Sequence, residues 1–370
     1  MKQAEFNLEA LPTLIDAGIW DAGHIQGIAL DTKKEYIYYS FTTVLVKAEV
    51  MTGKVVGYVD GLIGHLGCID YNDEDGKVYG SIEYKHDSIG KGIANRLGVT
   101  LAEENAFYIA IFDVDKIDRL NMDAEKDGIM RAVYLPEVVQ DYEGTGEGGK
   151  PHHYACSGID GTAFGPAFGT GKNGRSILAV ACGIYGDLER SDNDYQVIRA
   201  YDWRKFDAVA QPLVQGNPHH SGICCEEKYH LFTGNTTWGV QNLEYDAYTG
   251  DWFITVYKGK KPNYPNFPMF VIDGAKEPTD EPLCGVVPAE TAKTLSLKEI
   301  GITDEASGVS GFTFPYGATG IHALGNGYFY FSIPKKVPIN AGLKKLQAAK
   351  IRLYHFTGEA PEGFEAIESI

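Results

Sequence analysis

Histidines recur along this chain of 370 residues in one local context. Each lies within a few residues of a glycine and an aliphatic residue, at the start of an apolar run. The recurring histidines are His24, His65, His153, His220 and His322. Imidazoles bind divalent transition metals, and a metal with an open coordination position can polarise a carbonyl or generate hydroxide. The repeat therefore predicts a repeated structural unit and a candidate metal site with these histidines as ligands.

Two of the recurring histidines are doubled. His152 precedes His153 and His219 precedes His220, so the sequence leaves open which member of each pair faces a site. A plainer interpretation is that each histidine makes a local hydrogen bond at the mouth of a central tunnel. For the set as a whole, the shared position within each unit makes a metal or substrate site an equal alternative to local hydrogen bonding.

An amide and a carboxylate follow in a strand-like segment at residues 239–244. Successive side chains of a strand point to opposite faces, so Gln241 lies on one face and Glu244 on the other. We predict Gln241 as a neutral metal ligand and Glu244 as the catalytic carboxylate base. The alternative for both is hydrogen bonding along a tunnel wall.

The elements that position these residues are short strands joined by tight turns. The first unit contains four strand-like segments, at residues 27–31, 35–40, 44–49 and 55–59. The pattern then begins again at Gly64-His65, and from Gly27 to Gly67 the unit spans 40 residues. Four-strand meanders repeated at a long period are typical of β-propellers.

We therefore predict an all-β fold, a single β-propeller domain over residues 1–370 with four-stranded antiparallel blades. Five blades fit best, with six as the alternative, because residues 220–238 could supply two strands of a further unit. The last blade is expected to be completed by residues 364–367 or by the segment around residues 8–15. Residues 343–349 are expected to form one short helix.

Propeller topology assigns the predicted histidines to one face. A loop that leads into a first strand shares its face with the loops that join second to third strands. Residues 83–105, 186–194 and 258–268 form such loops. The candidate site is therefore expected at the face where the first strands start.

Composition limits the partners. The chain carries 33 basic and 50 acidic residues, a net charge of −17, which argues against nucleic acid or an anionic membrane as the main partner. No stretch approaches the ~20 consecutive apolar residues of a membrane span. The N-terminal segment lacks the apolar core of a signal peptide, and no CxxC pair occurs among the six cysteines. We expect a cytoplasmic protein with reduced, buried thiols.

The pattern as a whole resembles that of bacterial-type β-propeller proteins over nearly the whole chain, including residues 182–187 and 233–246. Its layout is similar to that of histidine-lined, metal-dependent propeller lyases that act on uronides, although no residue role is carried over from them. The resemblance implies a metal-assisted hydrolase or lyase with a divalent metal ion as cofactor and a small polar substrate such as a carbohydrate. The alternative is a non-catalytic ligand-binding or scaffold propeller.

Overall fold

Five largely antiparallel sheets follow one another along the chain and form the blades of a β-propeller. The computed structural model describes residues 11–146, 149–150, 156–184, 186–339 and 344–368. The innermost strands of neighbouring blades contact one another in a closed ring, in which the last blade returns to the first. The prediction of an all-β propeller with five blades is confirmed, and the six-bladed alternative is wrong.

The strands are numbered in chain order. β1 (Leu14–Trp20) precedes the first blade. Blade 1 contains β2 (Ile25–Leu30), β3 (Tyr36–Phe41), β4 (Val44–Glu49) and β5 (Val55–Asp60). Blade 2 contains β6 (His65–Asn72), β7 (Lys77–Tyr84), β8 (Ala106–Phe112) and β10 (Met130–Tyr134), while β9 (Met122–Asp123) pairs with β5.

Blade 3 contains β11 (Cys156–Pro166), β12 (Ser176–Ile184), β13 (Tyr195–Tyr201) and β15 (Glu227–Phe232), while β14 (Gln211–Pro212) pairs with β10. Blade 4 contains β16 (Thr236–Asp246), β17 (Asp251–Lys258) and β18 (Met269–Ile272). β19 (Thr279–Pro282) and β20 (Thr291–Leu295) extend blade 3, and β21 (Ile302–Thr303) pairs with β22 (Ser310–Gly311). Blade 5 contains β23 (Ile321–Ala323), β24 (Tyr328–Ile339), β25 (Lys344–Phe356), β26 (Phe364–Ala366) and β1.

Helices occur only in connections within the described residues. The α-helices are α1 (Ser88–Leu97), between β7 and β8, and α2 (Pro136–Glu143), after β10. Three short 3₁₀ helices span Val114–Lys116, Gly171–Asn173 and Trp203–Ala208. None of the helices in these ranges is long and apolar enough to cross a membrane.

The hydrophobic core is divided among the gaps between blades. Five apolar clusters are present, and each joins side chains from two neighbouring blades. Because each blade lies between two of these clusters, its inner strands are largely buried on both faces, and all six residues of β2 are buried. This explains why several strands appear in the sequence as continuous apolar runs rather than as alternating patterns.

The ring is closed by both ends of the chain. β1 pairs along β25 from Trp20 to Leu14, and β26 pairs with the last residues of the same strand. Residues 364–366 and the end of the segment expected around residues 8–15 therefore both contribute to blade 5, while residues 8–10 lie outside the described residues. Blade 4 departs from the four-stranded expectation, because only isolated bridges at Leu297 and Phe312 flank β18.

Several local predictions are wrong. The helix expected at residues 343–349 is not formed over 344–349, because β25 runs from Lys344 and pairs with β24 and β1, while residue 343 lies outside the described residues. Residues 206–210 are not the fourth strand of blade 3, since the 3₁₀ helix Trp203–Ala208 occupies most of this segment. Residues 220–226 form no named strand, and β15 is the fourth strand of blade 3, which leaves five blades instead of six.

Candidate functional site

Chemistry-bearing side chains collect at the two ends of the propeller axis. The innermost strands are β2, β6, β11, β16 and β23. We call the face where these strands begin the start face and the opposite one the end face. A group of charged side chains near each face defines two clusters, the start cluster and the end cluster.

The start cluster consists of His65, Glu83, Lys85 and Asp160. His65 begins β6, and its Nδ1 lies 3.0 Å from Glu83 Oε1 on the neighbouring strand β7. Lys85 Nζ lies 2.5 Å from the same Glu83 oxygen, and Asp160 Oδ1 lies 3.6 Å from His65 Nδ1. All four residues are buried.

Two amides complete the start cluster. Gln26 Nε2 lies 2.8 Å from His65 Nε2, and Gln241 donates to Asp160 Oδ2 at 3.4 Å. In the neutral ring, Gln26 donates to Nε2 and the Nδ1 proton donates to Glu83, so both ring nitrogens have partners. Protonation of His65 would require the Gln26 amide to present its oxygen instead.

Opposite charges are balanced in the start cluster. Burial disfavours the imidazolium, but the Glu83 hydrogen bond and the Asp160 charge outweigh it and raise the pKa of His65. Burial also works against the Glu83 carboxylate, yet Lys85 and His65 lower the pKa of Glu83 to about 2. Two carboxylates thus face two cations, and no further cation is needed to neutralise the group.

Glycines provide the space for these buried charges. A Cβ at Gly158 would lie 2.8 Å from Glu83 Oε2, and one at Gly67 would lie 2.9 Å from Asp160 Oδ1. Both glycines belong to the repeated histidine–glycine pattern. At these two positions, the glycine of the pattern therefore allows a carboxylate to pack against the backbone near the axis.

The predicted ligands on the start face are only partly assembled. His24 lies immediately before β2, and burial together with His65 and Lys336 lowers its pKa to about 4. His24, His65 and Gln241 thus lie at the same end of the axis. His153 lies outside the described residues, so its predicted place stays a prediction.

His220 lies elsewhere. Its ring packs against Tyr134 of β10, and its Nε2 lies 3.2 Å from the exposed carboxylate of Glu104. The sequence places His220 at the start of an innermost strand, but the structure places it in the connection before β15. It is an exposed side chain at the outer part of blade 2, away from the axis.

The end cluster consists of Asp70, Glu244 and His322. Asp70 lies near the end of β6, Glu244 near the end of β16, and His322 in β23. One potential ligand atom of each residue lies within 4.8 Å of those of the other two. His322 Nδ1 and Glu244 Oε1 are 3.3 Å apart.

Backbone groups hold the two carboxylates in place. Phe164 N donates to Asp70 Oδ2 and Tyr71 N to Asp70 Oδ1, both at 2.7 Å. Ala323 N donates to Glu244 Oε1 at 2.7 Å. The end cluster is therefore a preorganised arrangement in which three blades contribute one side chain each.

Charge in the end cluster is not balanced in the same way. Burial raises the pKa of Asp70 to about 7, and burial and the nearby Asp70 raise the pKa of Glu244 well above its ordinary value. Burial and Lys34 lower the pKa of His322 to about 3, so its ring is neutral. Within the described ranges, neither Asp70 nor Glu244 forms an ion pair with a Lys or Arg side chain.

A cavity of about 720 Å³ opens at the end cluster. Asp70, Glu244 and His322 line it, as do Lys34 from the β2–β3 turn and Lys172 from the loop after β11. Tyr245 also lines it, and its buried hydroxyl has no hydrogen-bond partner within the described part of the chain. A cavity of this size with convergent polar groups is typical of small-molecule sites.

Sequence reasoning identified two members of the end cluster and missed the third. Glu244 and His322 were predicted as base and ligand, but His322 was expected at a strand start. β23 is only three residues long and starts beside the middle of β2, so His322 reaches the end face. Asp70 was missed because residues 70–76 look like a hairpin turn, and Glu83 and Asp160 carry no local signal.

The two clusters differ in their fitness for a metal. The start cluster holds Lys85 and a histidine with both nitrogens bonded, so its carboxylates are already compensated. The end cluster offers two carboxylates and a neutral imidazole beside an open cavity. Such a mixed oxygen and nitrogen set fits a divalent cation with positions left open for water or substrate.

Comparisons with known proteins assign no family to this chain. No family model matches this chain, and no curated protein sequence matches it. The chain is similar to the Dos1 propeller, with a TM-score of 0.34 and 9% identity over 83% of this chain and 52% of that one. It thus spans about half the length of that protein.

A second similar structure is the holo form of the pyranose dehydrogenase PQQ domain from Coprinopsis cinerea. Here the TM-score is 0.38, with 8% identity over 88% of this chain and 81% of that one. At these scores and identities, neither likeness carries an argument.

Proposed function

We propose that this protein is a divalent-cation-dependent hydrolase or lyase that acts on a small polar substrate at the end face. The observation that carries the proposal is the convergence of Asp70, Glu244 and His322 within 4.8 Å at a 720 Å³ cavity. The proposal takes a small molecule, for example a carbohydrate, as the partner, and not nucleic acid or a membrane.

The electrostatics of the end cluster support a cation. Two buried carboxylates so close together cannot both ionise without cost, and this repulsion contributes to the raised pKa of Glu244. A divalent cation would remove that cost. His322 is a suitable third ligand because its lowered pKa keeps a nitrogen lone pair available.

The metal would supply Lewis acidity toward a substrate oxygen. The chain itself supplies orientation: backbone donors fix Asp70 and Glu244, and Lys34 and Lys172 bring positive charge to the cavity wall. The unpartnered Tyr245 hydroxyl is placed to hydrogen-bond a substrate hydroxyl or carbonyl. In this proposal Glu244 serves as a ligand or as the base, as predicted from the sequence, and both roles need its carboxylate.

Cation binding is the first test. Protein treated with EDTA would be titrated with Mn²⁺, Zn²⁺, Ca²⁺ and Mg²⁺ by calorimetry, as wild type and as the variants His322→Ala and His220→Ala. We expect His322→Ala to weaken cation binding by at least about tenfold. Changing a residue that only hydrogen-bonds to a metal ligand already costs this much, and His322 is proposed as a ligand itself. His220→Ala removes an imidazole from the outer surface and should bind like wild type. Equal affinity of wild type and His322→Ala would overturn the proposed site.

Turnover is the second test. Oligosaccharides with and without uronate units, together with simple esters, would be incubated with the cation-loaded protein and the release of new chain ends or acids measured. We expect turnover that disappears in Glu244→Gln and falls in Tyr245→Phe, with the fold unchanged by circular dichroism. If cations bind but none of these substrates reacts, the enzyme assignment fails for these classes and the ligand-binding propeller takes its place.

A further inference from the structure

A second cavity, of about 450 Å³, lies on the side of the molecule where α1 meets blades 1 and 5. One wall is α1, with Ile93 and Arg96, and the opposite wall is the hairpin of β24 and β25, with Lys344 and Lys345. Trp20 and Asp21, at the end of β1, form the floor between them. This cavity shares no lining residue with the cavity of the end cluster.

Positive charge is concentrated at this cavity in a chain whose net charge is −17. Three cations line it, Arg96, Lys344 and Lys345, against one carboxylate, Asp21. Lys344 forms an ion pair with Asp21, which accounts for that carboxylate. Within the described residues, Arg96 and Lys345 form no ion pair of this kind, although the charges of Asp21 and Asp60 act on Arg96 from a greater distance.

Arg96 is the better anchored of the two. Its Nη2 donates to Thr43 Oγ1 at 3.0 Å, and within the described ranges no carboxylate lies at ion-pair distance from Arg96 or Lys345. Partial burial lowers the pKa of Arg96, and the charges of Asp21 and Asp60 oppose this shift. A guanidinium held by a neutral partner keeps donors available for an anion.

The hairpin adds a further cation on the same side. Lys336 pairs with Gln347 across the hairpin, and Gln347 lines the cavity, so both side chains lie on one face of the ribbon. Lys336 is also close enough to His24 to contribute to that residue's lowered pKa. Lys335, its neighbour in sequence, points to the other face.

The remaining wall is apolar. Trp20 and Ile93 offer a ring face and an aliphatic surface beside the cations. Inorganic phosphate would not use this surface, whereas a phosphorylated sugar would. Arg96 and Lys345 have no ion-pair partner within the described residues, and two such cations match the two negative charges of a phosphate monoester better than the single charge of a carboxylate.

We propose that the cavity between α1 and the β24–β25 hairpin binds the phosphate group of a phosphorylated small molecule, with Arg96 and Lys345 as its main contacts and Trp20 against its organic part. This site is independent of the function proposed for the end cluster.

The test is calorimetric titration at low ionic strength with glucose 6-phosphate, glucose and glucuronate. We expect binding of glucose 6-phosphate alone among the three. Arg96→Gln and Lys345→Gln should each weaken it by about tenfold, the scale of one charge-assisted hydrogen bond. Lys335→Gln, which removes the same charge from the other face of the hairpin, should leave the affinity within about twofold of wild type, as expected for a distant surface charge.

Three results would overturn the proposal: no binding of glucose 6-phosphate, equal binding of glucuronate, or equal losses in Lys345→Gln and Lys335→Gln. Thermal unfolding of each variant confirms that it is folded before titration. Glu244→Gln should bind glucose 6-phosphate like wild type, so a failure of the catalytic proposal and a failure of this one are distinguishable.

Discussion

Identical residue types behave in opposite ways at the two ends of the axis. Glu83 in the start cluster keeps its charge because Lys85 and His65 are in contact with it. Glu244 in the end cluster is as deeply buried, yet its neighbours are a second carboxylate and a neutral imidazole. The carboxylate of Glu83 is therefore neutralised by its neighbours. The carboxylate of Glu244 is not, and a bound cation would stabilise it.

The ion pair of His65 and Glu83 should make the free energy of unfolding depend on pH. The raised pKa of His65 means that its contribution is complete below 6.5 and is lost as pH rises through the folded-state value. The lowered pKa of Glu83 means that its contribution is complete above 4.5 and is lost as pH falls toward 2. The coupling between the two side chains should therefore be largest between these limits.

A double-mutant cycle with His65→Gln and Glu83→Gln, followed by urea unfolding, measures this coupling. We expect Glu83→Gln alone to cost about 3–5 kcal/mol at about pH 5.5, as for a broken buried ion pair. The coupling should shrink as pH rises above 6.5 and through the raised pKa of His65, because the imidazolium loses its proton. The exposed pair His220 and Glu104 is the control, and its coupling should stay below about 1 kcal/mol. A coupling that grows with pH would contradict the charge assignment.

The individual site residues could be predicted from the sequence, but their division into two clusters could not. His65 and Gln241 were chosen for one face, and the structure does bring them into one cluster through Asp160. Glu244 and His322 were chosen as well, yet they lie together at the opposite face with Asp70. Which end of the axis a side chain reaches depends on where each innermost strand begins, and no local pattern encodes the late start of β23.

At the scale of the elements, the most informative part of the repeat is its glycine. β2 and β6 pack so closely that a Cβ at Gly27 would lie 2.8 Å from Ile69 N and 3.0 Å from Cys68 Cα. Both of these atoms belong to backbone that cannot swing aside. The inner strands therefore need a residue without a side chain at this point.

We predict that Gly27→Ala destabilises the protein by about 1–3 kcal/mol, the usual cost of overpacking a filled core. Gly216→Ala is the matched control, because a Cβ there would meet nothing within 4 Å, and it should change stability by less than about 0.5 kcal/mol. Chemical denaturation of both variants measures the difference. Equal stabilities would mean that the inner strands can move apart at little cost.

The elements that were predicted wrongly are those in which the intrinsic secondary-structure preference of the residues disagrees with their tertiary contacts. Residues 343–349 are rich in Leu, Lys, Gln and Ala, which favour a helix. Pairing of β25 with β24 on one side and β1 on the other overrides that preference. α1 was missed for the reverse reason, since Gly90 and Gly92 weaken its helical pattern while Asp87 caps its first turn through Ile89 N and Gly90 N.

At the scale of the whole molecule, the number of blades follows from the number of interfaces. Each of the five apolar clusters fills one gap between blades, and the fifth gap is closed only when β1 joins β25. The meander pattern was enough to predict this architecture, because a repeated unit with two apolar faces must be covered on both sides. The blade to which an inserted strand belongs could not be predicted, since β14 pairs with β10 and β20 pairs with β15, both distant in sequence.

The two ends of the described chain meet at a single residue. Leu353 N donates to Thr13 O, and Ile367 N donates to Leu353 O. We therefore predict that the ring of blades forms whichever blade contains the break in the polypeptide. A circular permutant that joins the present ends by a short Gly/Ser linker, and opens instead between the exposed Glu305 and Ala306, should fold to the same propeller with one cooperative melting transition. Aggregation of this permutant, or two separate transitions, would show that the ring must be assembled from β1 onward rather than from any blade.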